Sequence, residues 1–355
     1  MSKAIVLVNS DTSYLEHKLS ELNYTTYAID EFNHRNIRKL QDLDFINNFI
    51  NKVLSNHDSS YLVYGSGLEN KKSIYDLLMK KLIVKGNNLN ILTKTHNLSS
   101  LRNVFEAHNI KTPEDFEQGS SVENKFIWKP LYSSGGYGIS FKTKPKLSHY
   151  KQKYFPGTTF SISFFCNEDG FKFLGFNNLL LLKGFPDHPF IHAGAITIKP
   201  TETLQKTIPA FNSLALDLSL KGYNNIDFKI IKDDVCILDI NPRITSTFKI
   251  YNDINDNRLL RLHINEDDVS LSQLSCIKQT SYGLVHLFAK ENFFFKKYFS
   301  ENWITNIPKE GEHINAGDPI FSIYLSAPSE SELIFKLKEN ISKLGDYYSF
   351  YDIVI

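Results

Sequence analysis

Blocks of apolar and polar residues at the start of the chain predict strands and helices in turn. Residues 4–8 form an apolar, β-branched run that ends in the polar turn 9–11 and is followed by leucines at helical spacing up to Leu22. The pattern then predicts a strand at residues 24–29, a helix at 42–54 and a strand at 61–64. Regular alternation of strand and helix is typical of a small parallel α/β domain.

From about residue 126 onward the pattern changes to strands that are separated by turn residues. A helix over residues 99–108 precedes them and ends ahead of Pro113, because proline disfavours helical backbone in the residue before it. The turn signals at 167–170 and 233–234 make the strands on either side antiparallel neighbours. The predicted strands lie at 126–129, 139–142, 159–166, 171–182, 196–199, 226–231 and 235–240, with one helix at 204–218. This part of the chain is therefore predicted to be an α+β unit.

Beyond about residue 260 the pattern predicts a third, smaller unit. Strands are expected at 282–289 and 320–325. An amphipathic helix is expected at 330–344, because apolar side chains recur there at helical spacing.

Composition narrows the classes of function that this chain can have. The 355 residues carry 40 Lys and Arg against 39 Asp and Glu, so a net charge of +1 gives no field that would steer the protein to nucleic acid or to an anionic membrane. No apolar run approaches the roughly 20 residues of a bilayer span, and the start of the chain does not resemble a signal peptide. Three scattered cysteines fit reduced thiols. We expect a cytoplasmic protein without nucleic-acid or membrane partners.

A lysine followed by a glycine-rich loop is the first candidate for phosphate binding. Lys129 ends a predicted strand, and the loop Ser133-Ser134-Gly135-Gly136-Tyr137-Gly138 follows. Glycines let backbone N–H groups approach phosphate oxygens, and a lysine supplies a positive charge for them. The loop is not a Walker A motif, and an ordinary glycine-rich hairpin is the alternative interpretation.

Two pairs of polar residues on neighbouring predicted strands form a candidate metal site. Residues two apart on a strand point to the same face, so Asp227 shares a face with Lys229, and Asp239 with Asn241. With a hairpin turn at 233–234 the two pairs can converge and offer the carboxylate and amide oxygens that Mg²⁺ prefers. Exposed hairpin charges are the alternative, and Lys229 either reaches a phosphate or pairs with Asp227.

The segment Gln152-Lys153-Tyr154-Phe155-Pro156-Gly157 leads into the predicted strand at 159–166. An extended segment with alternating polar and apolar side chains can lie along the edge of an adenine base, although a plain linker has the same pattern. His192, at a predicted strand end, is a candidate for binding an amine or accepting a proton, beside a purely structural role.

The order of these elements resembles the ATP-grasp superfamily over nearly the whole chain. The resemblance rests on the leading α/β domain, a helix of the form Thr93-Lys94 to Ile110-Lys111-Thr112-Pro113, the Lys129-Pro130 strand with its glycine loop, the segment 152–157, Asp227, and the strand Asp239-Ile240-Asn241-Pro242-Arg243. It implies an N-terminal parallel α/β (pre-ATP-grasp) domain and two α+β subdomains that clasp ATP. The implied boundaries are 1–90, 91–155, 156–260 and, for a C-terminal α+β extension packed on the large subdomain, 261–355.

The resemblance also implies an ATP-dependent carboxylate–amine ligase that forms an acylphosphate and releases ADP and phosphate. Catalytic roles fall to Arg243, which would steady the transferring phosphoryl group or the substrate carboxylate, and to Lys229. A Mg²⁺ or Mn²⁺ ion would be held by Asp227, Asp239 and Asn241. The residues that would bind ATP are Lys129, Ser134, Gly135, Gly136, Gly138, Gln152, Lys153, Tyr154 and Phe155.

A finer resemblance is to the tyramine–glutamate ligase-like subgroup, which is linked to one-carbon (methanopterin- or methanofuran-type) cofactor pathways. Its motifs are Asn306-Ile307-Pro308, Gly311, Gly317-Asp318-Pro319-Ile320, Gly65-Ser66-Gly67-Leu68-Glu69 and Gly86-Asn87. It implies small-molecule substrates, glutamate and a small amine among them, and a homodimer. The alternatives are a non-catalytic, ATP-binding regulatory protein and a different ATP-grasp reaction, such as carboxyphosphate chemistry or polyglutamylation.

Three positions depart from the family pattern. Asp239 stands where the metal ligand of the last strand is usually glutamate, and Thr158-Thr159 replaces the acidic residue that would bind the ribose hydroxyls. Asn97 occupies the place of a lysine, for which Lys94 is a candidate substitute. The first two departures are what the non-catalytic alternative rests on.

Overall fold

The part of the chain that the computed structural model describes consists of residues 3–30, 42–67, 71–116, 126–142, 149–185, 188–266 and 268–355. None of the helices in these ranges has the length and apolar character that crossing a bilayer requires. The expected Leu68-Glu69 part of the subgroup motif lies outside the described residues.

A four-stranded parallel sheet forms the N-terminal part of the molecule, as the alternating pattern predicts. Alternate residues of its first strand pack to opposite sides: Ile5 and Leu7 contact one cluster of buried side chains, and Val6 and Val8 another. Burial on both faces explains the uninterrupted apolar run. The elements are β1 (Lys3–Asn9), α1 (Ser13–Glu21), β2 (Thr25–Asp30), α2 (Leu43–Asn56), β3 (Ser59–Tyr64), α3 (Lys72–Lys81) and β4 (Ile83–Val84), with strand order β2-β1-β3-β4.

The helices that follow differ from the sequence prediction. α4 (Leu89–His96) is an additional helix, and the predicted helix at 99–108 is a 3-10 turn (Leu98–Leu101) followed by the short α5 (Arg102–Ala107). α4 buries only Leu92 and Thr95, so it has no apolar stripe long enough to recognise in the sequence. Helix α3 was likewise not predicted.

A small antiparallel hairpin of β5 (Phe126–Pro130) and β6 (His149–Lys153) comes next. The strand predicted at 139–142 is wrong, because only Ser140 makes a bridge there, to Trp128. Left-handed glycines in the preceding loop coil the chain, so it meets β5 at a single residue before turning away.

A large antiparallel sheet contains nine strands within the described residues, in the order β11-β10-β7-β8-β9-β12-β16-β14, with β17 also paired to β8. The strands predicted between residues 159 and 240 are confirmed within a few residues at their ends. Its members are β7 (Phe160–Asn167), β8 (Gly170–Lys183), β9 (His192–Ile198), β10 (Gly222–Ile231), β11 (Asp234–Asn241), β12 (Ser281–Phe288), β14 (Ile304–Thr305), β16 (Pro319–Ala327) and β17 (Asp352–Val354). Strands β13 (Phe293–Phe294) and β15 (His313–Ile314) pair with each other.

The helices around this sheet are partly predicted. α6 (Glu202–Asp217) and α9 (Glu330–Gly345) agree with the prediction, whereas α7 (Phe248–Ile254) and α8 (Arg258–His263) are too short to show a helical period in the sequence.

The C-terminal segment adds strands to the same sheet. β12 pairs on one side with β9 and on the other with β16, so residues beyond 260 continue the large sheet without a break. The domain boundaries given above remain predictions.

Asn87 ties the two sheets together. Its Nδ2 donates to the carbonyl oxygens of Lys221 (2.7 Å) and Pro242 (3.0 Å) and to Asn224 Oδ1 (2.8 Å), and its Oδ1 accepts from the Lys221 N–H at 2.7 Å. The Tyr64 hydroxyl donates to the Asn87 carbonyl oxygen at 2.7 Å. These bonds hold the end of β3 against the ends of β10 and β11.

Candidate functional site

A cleft of about 850 Å³ is lined by residues of β5, β6, β10, β11 and the loops around them. It collects most of the residues that the sequence analysis selected. Those in its lining are Lys129, Ser134, Gly135, Gly136, Gln152, Lys153, Tyr154, Phe155, Asp227, Lys229, Asp239, Asn241 and Arg243.

The hairpin that carries the predicted metal ligands turns one residue earlier than expected. Lys232 and Asp233 form the turn with φ of 51° and 68°, and Asp234 already pairs with Ile231. Two-residue hairpin loops favour this left-handed pair of conformations because its twist matches that of the strands. The turn predicted at Asp233-Asp234 is therefore wrong by one residue, which changes the residues that face each other across β10 and β11.

A β-bulge then places Asp227 opposite Asp239. The register shifts directly after this pair, so that Leu238 is the extra residue on β11. Opposite residues of an antiparallel pair point to the same face. A turn at 233–234 without a bulge would have placed Asp227 opposite Ile240 and left the carboxylates on different faces. The turn and the bulge together make the two carboxylates converge.

Lys129 reaches from β5 to these strands. Its Nζ donates to the carbonyl oxygen of Leu238, the bulge residue, at 2.6 Å and lies 3.4 Å from Asp239 Oδ1. Burial is the largest single effect and lowers the pKa of Lys129, but Asp239, Tyr150 and Asp227 together outweigh burial, and the pKa is raised. The ammonium group therefore stays charged inside the cleft, as a ligand for phosphate must.

Asp227 is a strongly perturbed carboxylate of the cleft. Burial, with the negative charge of Asp239 as the second cause, raises the pKa of Asp227 to about 7. Asn241 Nδ2 donates to Asp227 Oδ2 at 3.3 Å, and Arg243 Nη2 donates to Asn241 Oδ1 at 3.0 Å. Two carboxylates on one face repel each other, and a bound cation would relieve this repulsion.

The donor set fits a magnesium ion that is shared with a substrate. Among the described residues no three His, Cys, Asp or Glu side chains come together as a metal cage. Mg²⁺ is commonly bound by one or two carboxylates, with waters and substrate phosphates completing its shell. Asp227 and Asp239, with the amide of Asn241 beside them, match that pattern.

The glycine-rich loop is folded against the opposite wall of the cleft. The His192 N–H donates to the Gly135 carbonyl oxygen at 2.9 Å, and a Cβ on Gly136 would lie 1.8 Å from the carbonyl oxygen of Phe190. The φ angles of Gly135, Gly136 and Gly138 are 63°, 80° and 79°, which favour glycine. Gly138 is outside the lining of the cleft.

Residues 152–155 leave β6 along the cleft. Lys153 Nζ donates to the carbonyl oxygens of Glu114 (3.0 Å) and Phe116 (2.9 Å), and the Phe155 ring packs against Phe116 with centroids 5.7 Å apart. The ammonium group of Lys153 therefore fixes residues 152–155 to the chain at residues 114–116. Contact of residues 152–155 with adenine remains a prediction.

Lys229, on β10, contacts the end of the segment 152–157. Its Nζ donates to the carbonyl oxygen of Gly157, and no ion pair with Asp227 forms. Burial lowers the pKa of Lys229 to about 8. Of the two alternatives for this residue, pairing with Asp227 is wrong, and a role toward a phosphate remains a prediction.

The structure also gives the positions of two residues that were discussed as departures from the family pattern. Thr159 lines the cleft. Lys94 is exposed on α4 and is not part of the lining, so the structure does not bring it to the site as a substitute.

A second group of cleft residues was given no site role in the sequence analysis, although Ser66 and Asn306 belong to the subgroup motifs named there. The turn 9–11 was interpreted only as the end of β1, although the carboxyl ends of adjacent parallel strands are where such sheets bind ligands. That topological signal was available in the predicted α/β pattern. The residues are Asn9, Ser10, Asp11, Ser66, His286, Asn306 and Ser322.

His192, a candidate of the sequence analysis, lines the cleft beside His286 of this second group, with ring centroids 6.3 Å apart. Burial lowers the pKa of His192 to about 3 and that of His286 to about 4. Both rings are therefore neutral at physiological pH, and His286 Nδ1 lies 2.7 Å from Ser322 Oγ.

Comparison with known proteins agrees with this geometry. Residues 96–247 match the model of the ATP-grasp domain family. The biotin carboxylase of Campylobacter jejuni, solved as a beta-gamma-ATP complex, superposes with a TM-score of 0.73 over 99% of this chain and 93% of its own, at 11% identity. The chain has the ATP-grasp fold.

Two further solved structures superpose on nearly the whole chain. The L-amino acid ligase of Bacillus licheniformis has a TM-score of 0.69 and 11% identity over 98% of both chains. The phosphoribosylglycinamide synthetase of Anaerococcus prevotii has a TM-score of 0.65 and 14% identity over 100% of both. An uncharacterized protein of Methanocaldococcus jannaschii is 25% identical over 314 residues, 84% of this chain and 77% of the relative.

The matched ATP-grasp segment divides the cleft. It includes Lys129, Asp227, Asp239 and Arg243, whereas Asp11 and the other residues from the ends of β1 and β3 lie outside it. The second part of the cleft is therefore built by segments that flank the ATP-grasp domain.

Proposed function

We propose that this ATP-grasp protein is an ATP-dependent ligase that activates a carboxylate as an acylphosphate and joins it to an amine, with release of ADP and phosphate. The observation that carries the proposal is the convergence of Lys129, Asp227, Asp239 and Arg243 in one cleft. Its volume of about 850 Å³ is near the upper end of the roughly 300–1,000 Å³ of small-molecule sites, which suits a nucleotide together with a second substrate.

Each part of the cleft has an assigned role in the proposal. Lys129 contacts the α- and β-phosphates, and the backbone of residues 134–138 closes over them. Residues 152–155 frame the adenine. Asp227, Asp239 and Asn241 would hold a magnesium ion, which when bound neutralises phosphate charge.

In the proposed reaction no protein group forms a covalent bond with a substrate. A carboxylate oxygen of the substrate attacks the γ-phosphorus, the bond to the β,γ-bridging oxygen breaks, and ADP leaves. The amine, once its ammonium group has given up a proton to solvent, attacks the acyl carbon; the bond from this carbon to the phosphate oxygen breaks, and a second nitrogen proton is lost to the departing phosphate as the amide forms. Arg243, which is 6% exposed, faces the growing charge of the transferring group, so positioning and charge neutralisation supply most of the acceleration.

The substrates that we propose are glutamate and a small amine, as in one-carbon cofactor biosynthesis. Support comes from the motifs of the tyramine–glutamate ligase-like subgroup, since Asn306, Pro308 and Asp318 line the same cleft. The names of the L-amino acid ligase and the phosphoribosylglycinamide synthetase point to the same class of reaction, and that of the biotin carboxylase to bicarbonate as the alternative carboxylate.

The test is ADP release by the purified protein with MgATP, L-glutamate and a panel of primary amines, with bicarbonate as a separate arm. ADP release that needs both glutamate and an amine, with an amide of the summed mass less water, supports the ligase. Release that needs bicarbonate alone would replace it with carboxyphosphate chemistry.

A thermal-shift titration with MgATP accompanies this assay. Ligand binding to the native state raises the unfolding midpoint by mass action. A protein that is stabilised by MgATP and yet releases no ADP across the panel would contradict the ligase and support a regulatory ATP-binding role.

A further inference from the structure

A polar crevice opens into the cleft at the carboxyl ends of β1 and β3. Strands β2 and β3 lie on opposite sides of β1, so the loops after β1 and β3 separate there and leave a gap. Such a switch point is where open parallel sheets bind ligands. The crevice is lined by Asn9, Ser10, Asp11 and Ser66.

The crevice lies beside the catalytic half of the cleft. A Cβ on Gly65 would be 2.3 Å from Asn9 Oδ1 and 3.0 Å from the carbonyl oxygen of Ile244, the residue that follows Arg243. The Ile244 N–H also donates to the Tyr64 carbonyl oxygen at 3.4 Å. A molecule held by the residues after β1 is therefore next to the strand end that carries Arg243.

Asp11 is the acidic group of this crevice. The Ser13 N–H and hydroxyl both donate to Oδ1, at 2.9 and 2.6 Å, whereas Oδ2 receives no hydrogen bond from any residue of the described ranges. Burial raises the pKa of Asp11, and the charges of Asp30 and Glu16 raise it further. A half-buried carboxylate with a free oxygen and negative neighbours is suited to a cationic ligand.

Lys249, which also lines the cleft, makes its direct contacts with other groups. Lys249 Nζ lies 3.6 Å from Asp253 Oδ2, and 4.2 and 4.6 Å from the ring centres of Tyr14 and Tyr324. Burial lowers the pKa of Lys249, and Asp253 opposes this more strongly than Asp11 does, so the charge of Lys249 is compensated mainly by Asp253 and by the two rings.

The remaining wall is polar and uncharged. Ser13 Oγ, whose proton is directed to Asp11, lies 3.5 Å from Asn306 Oδ1. Asn306 Nδ2 donates to Ser322 Oγ at 3.3 Å, and Ser322 Oγ lies 2.7 Å from His286 Nδ1. This chain of contacts connects the loop after β1 with the neutral histidines. Apolar cleft residues complete the surroundings, namely Leu15, Ile244, Phe248 and Leu284.

We propose that this crevice binds the amine substrate and that Asp11 recognises its ammonium group. The inference rests on the proposed ligase function and specifies it, because it assigns the amine to the segments outside the ATP-grasp match. Apart from Asp11 and Lys249, the residues named here are uncharged and partly apolar, which favours a primary amine with an apolar body over one that carries a second charge.

The test compares Asp11→Asn with Asp44→Asn, in kinetics with MgATP, L-glutamate and each of methylamine, n-butylamine and phenethylamine. Asparagine keeps the Oδ1 acceptor for Ser13 and removes the charge, while Asp44 is an exposed acid on α2 of the same domain. Asp11→Asn is expected to raise the KM for the amine by about 10- to 100-fold and to leave the KM for ATP within about twofold, since a charged hydrogen bond is lost. Asp44→Asn should change neither.

A binding experiment without turnover keeps the proposal testable even if Asp11→Asn folds poorly. Wild-type protein with MgADP should be stabilised by phenethylamine more than by phenethyl alcohol, which has the same size and no charge, and Asp11→Glu should retain part of that preference.

The outcomes separate the two proposals. Wild-type protein that turns over no amine overturns the ligase function, and the amine site with it. Turnover in which Asp11→Asn keeps the wild-type amine KM, or wild-type binding that does not distinguish amine from alcohol, overturns the Asp11 assignment and leaves the ligase standing.

Discussion

At the scale of single residues, the two cations of the phosphate region differ in what holds them. Lys129 is tied to Leu238 and Asp239, so its charge balances the carboxylate pair as well as any phosphate. Arg243 donates to the Asn241 side chain and to the Ile244 carbonyl oxygen, and is almost wholly buried at the strand end.

These two environments predict that substitution of Lys129 mainly affects MgATP binding and that substitution of Arg243 mainly affects turnover. Lys129→Ala should weaken MgATP binding by about 10- to 100-fold, because a charge-assisted contact is lost.

Arg243→Ala should bind MgATP nearly as the wild type does and lose about 100- to 1,000-fold in kcat, as expected for a group that acts on charge formed during transfer. A thermal-shift titration measures MgATP binding by both variants, and ADP release measures kcat. An arginine variant with normal turnover would refute the role assigned to Arg243.

The buried histidines predict a dependence of stability on pH. Their folded pKa values of about 3 (His192) and about 4 (His286) lie below the ordinary 6.5, so between pH 6.5 and 4 the unfolded chain binds protons that the folded chain does not. Their contribution is present above pH 6.5 and is lost as the pH falls, by about 1.4 kcal/mol per pH unit for each group.

Urea unfolding at pH 7 and pH 5 checks this expectation. His286→Asn should lose less stability on acidification than the wild type, whereas His17→Asn, whose side chain is 68% exposed, should behave as the wild type does. Equal acid sensitivity of His286→Asn and wild type would show that this ring does not titrate as described.

At the scale of elements, the glycine-rich loop is held by close approach of main chains. A Cβ on Gly136 would lie 1.8 Å from the Phe190 carbonyl oxygen, whereas a Cβ on Gly135 would find its nearest atom at 3.6 Å, on Tyr137. Both glycines have positive φ, so the two substitutions share the backbone strain and differ in the collision.

Gly136→Ala is therefore expected to displace the loop and weaken MgATP binding by about tenfold or more relative to Gly135→Ala. The affinity is measured by thermal shift or calorimetry on both variants. Similar affinities for the two would mean that docking of the loop on Phe190 is not needed for nucleotide binding.

At the scale of the whole molecule, the relative position of the N-terminal sheet and the large sheet depends on Asn87. Its side chain makes four hydrogen bonds to the chain around Lys221, Asn224 and Pro242, and it is 2% exposed. Removing it leaves buried donors and acceptors unpaired.

Asn87→Ala should lower the free energy of unfolding by about 2–4 kcal/mol. Asn88→Ala is the matched control, because Asn88 only caps α4 by accepting from the Ile91 N–H, and its loss should cost about 1 kcal/mol. Denaturant unfolding gives both values, and equal losses would contradict the linking role of Asn87.

Local patterns determined much of this molecule. The apolar run of β1, the alternating strands from 159 to 240 and the long helices α6 and α9 are visible in the sequence because each repeats its burial pattern over several residues. Short helices such as α4, α7 and α8 have too few turns to show a period, so their existence depends on contacts with distant residues.

For the candidate site, too, some features were predictable from the sequence and others were not. Residue chemistry selected Lys129, Asp227 and Asp239 as candidates and left ordinary hairpins as the alternative, whereas the role of Arg243 came from the resemblance to the ATP-grasp superfamily. That Asp227 and Asp239 face each other was decided by a one-residue difference in the turn and by the bulge at Leu238, since a shift of one residue moves a strand side chain to the other face.

The sequence by itself thus determined the elements and the types of group available for chemistry, because both depend on neighbours along the chain. Only the tertiary structure decided which groups meet. Asp11 lies 232 residues before Arg243 in the sequence, and the loop after β1 reaches the end of β11 only because the parallel sheet, the Asn87 contacts and the large sheet fix the two at the same edge of the cleft.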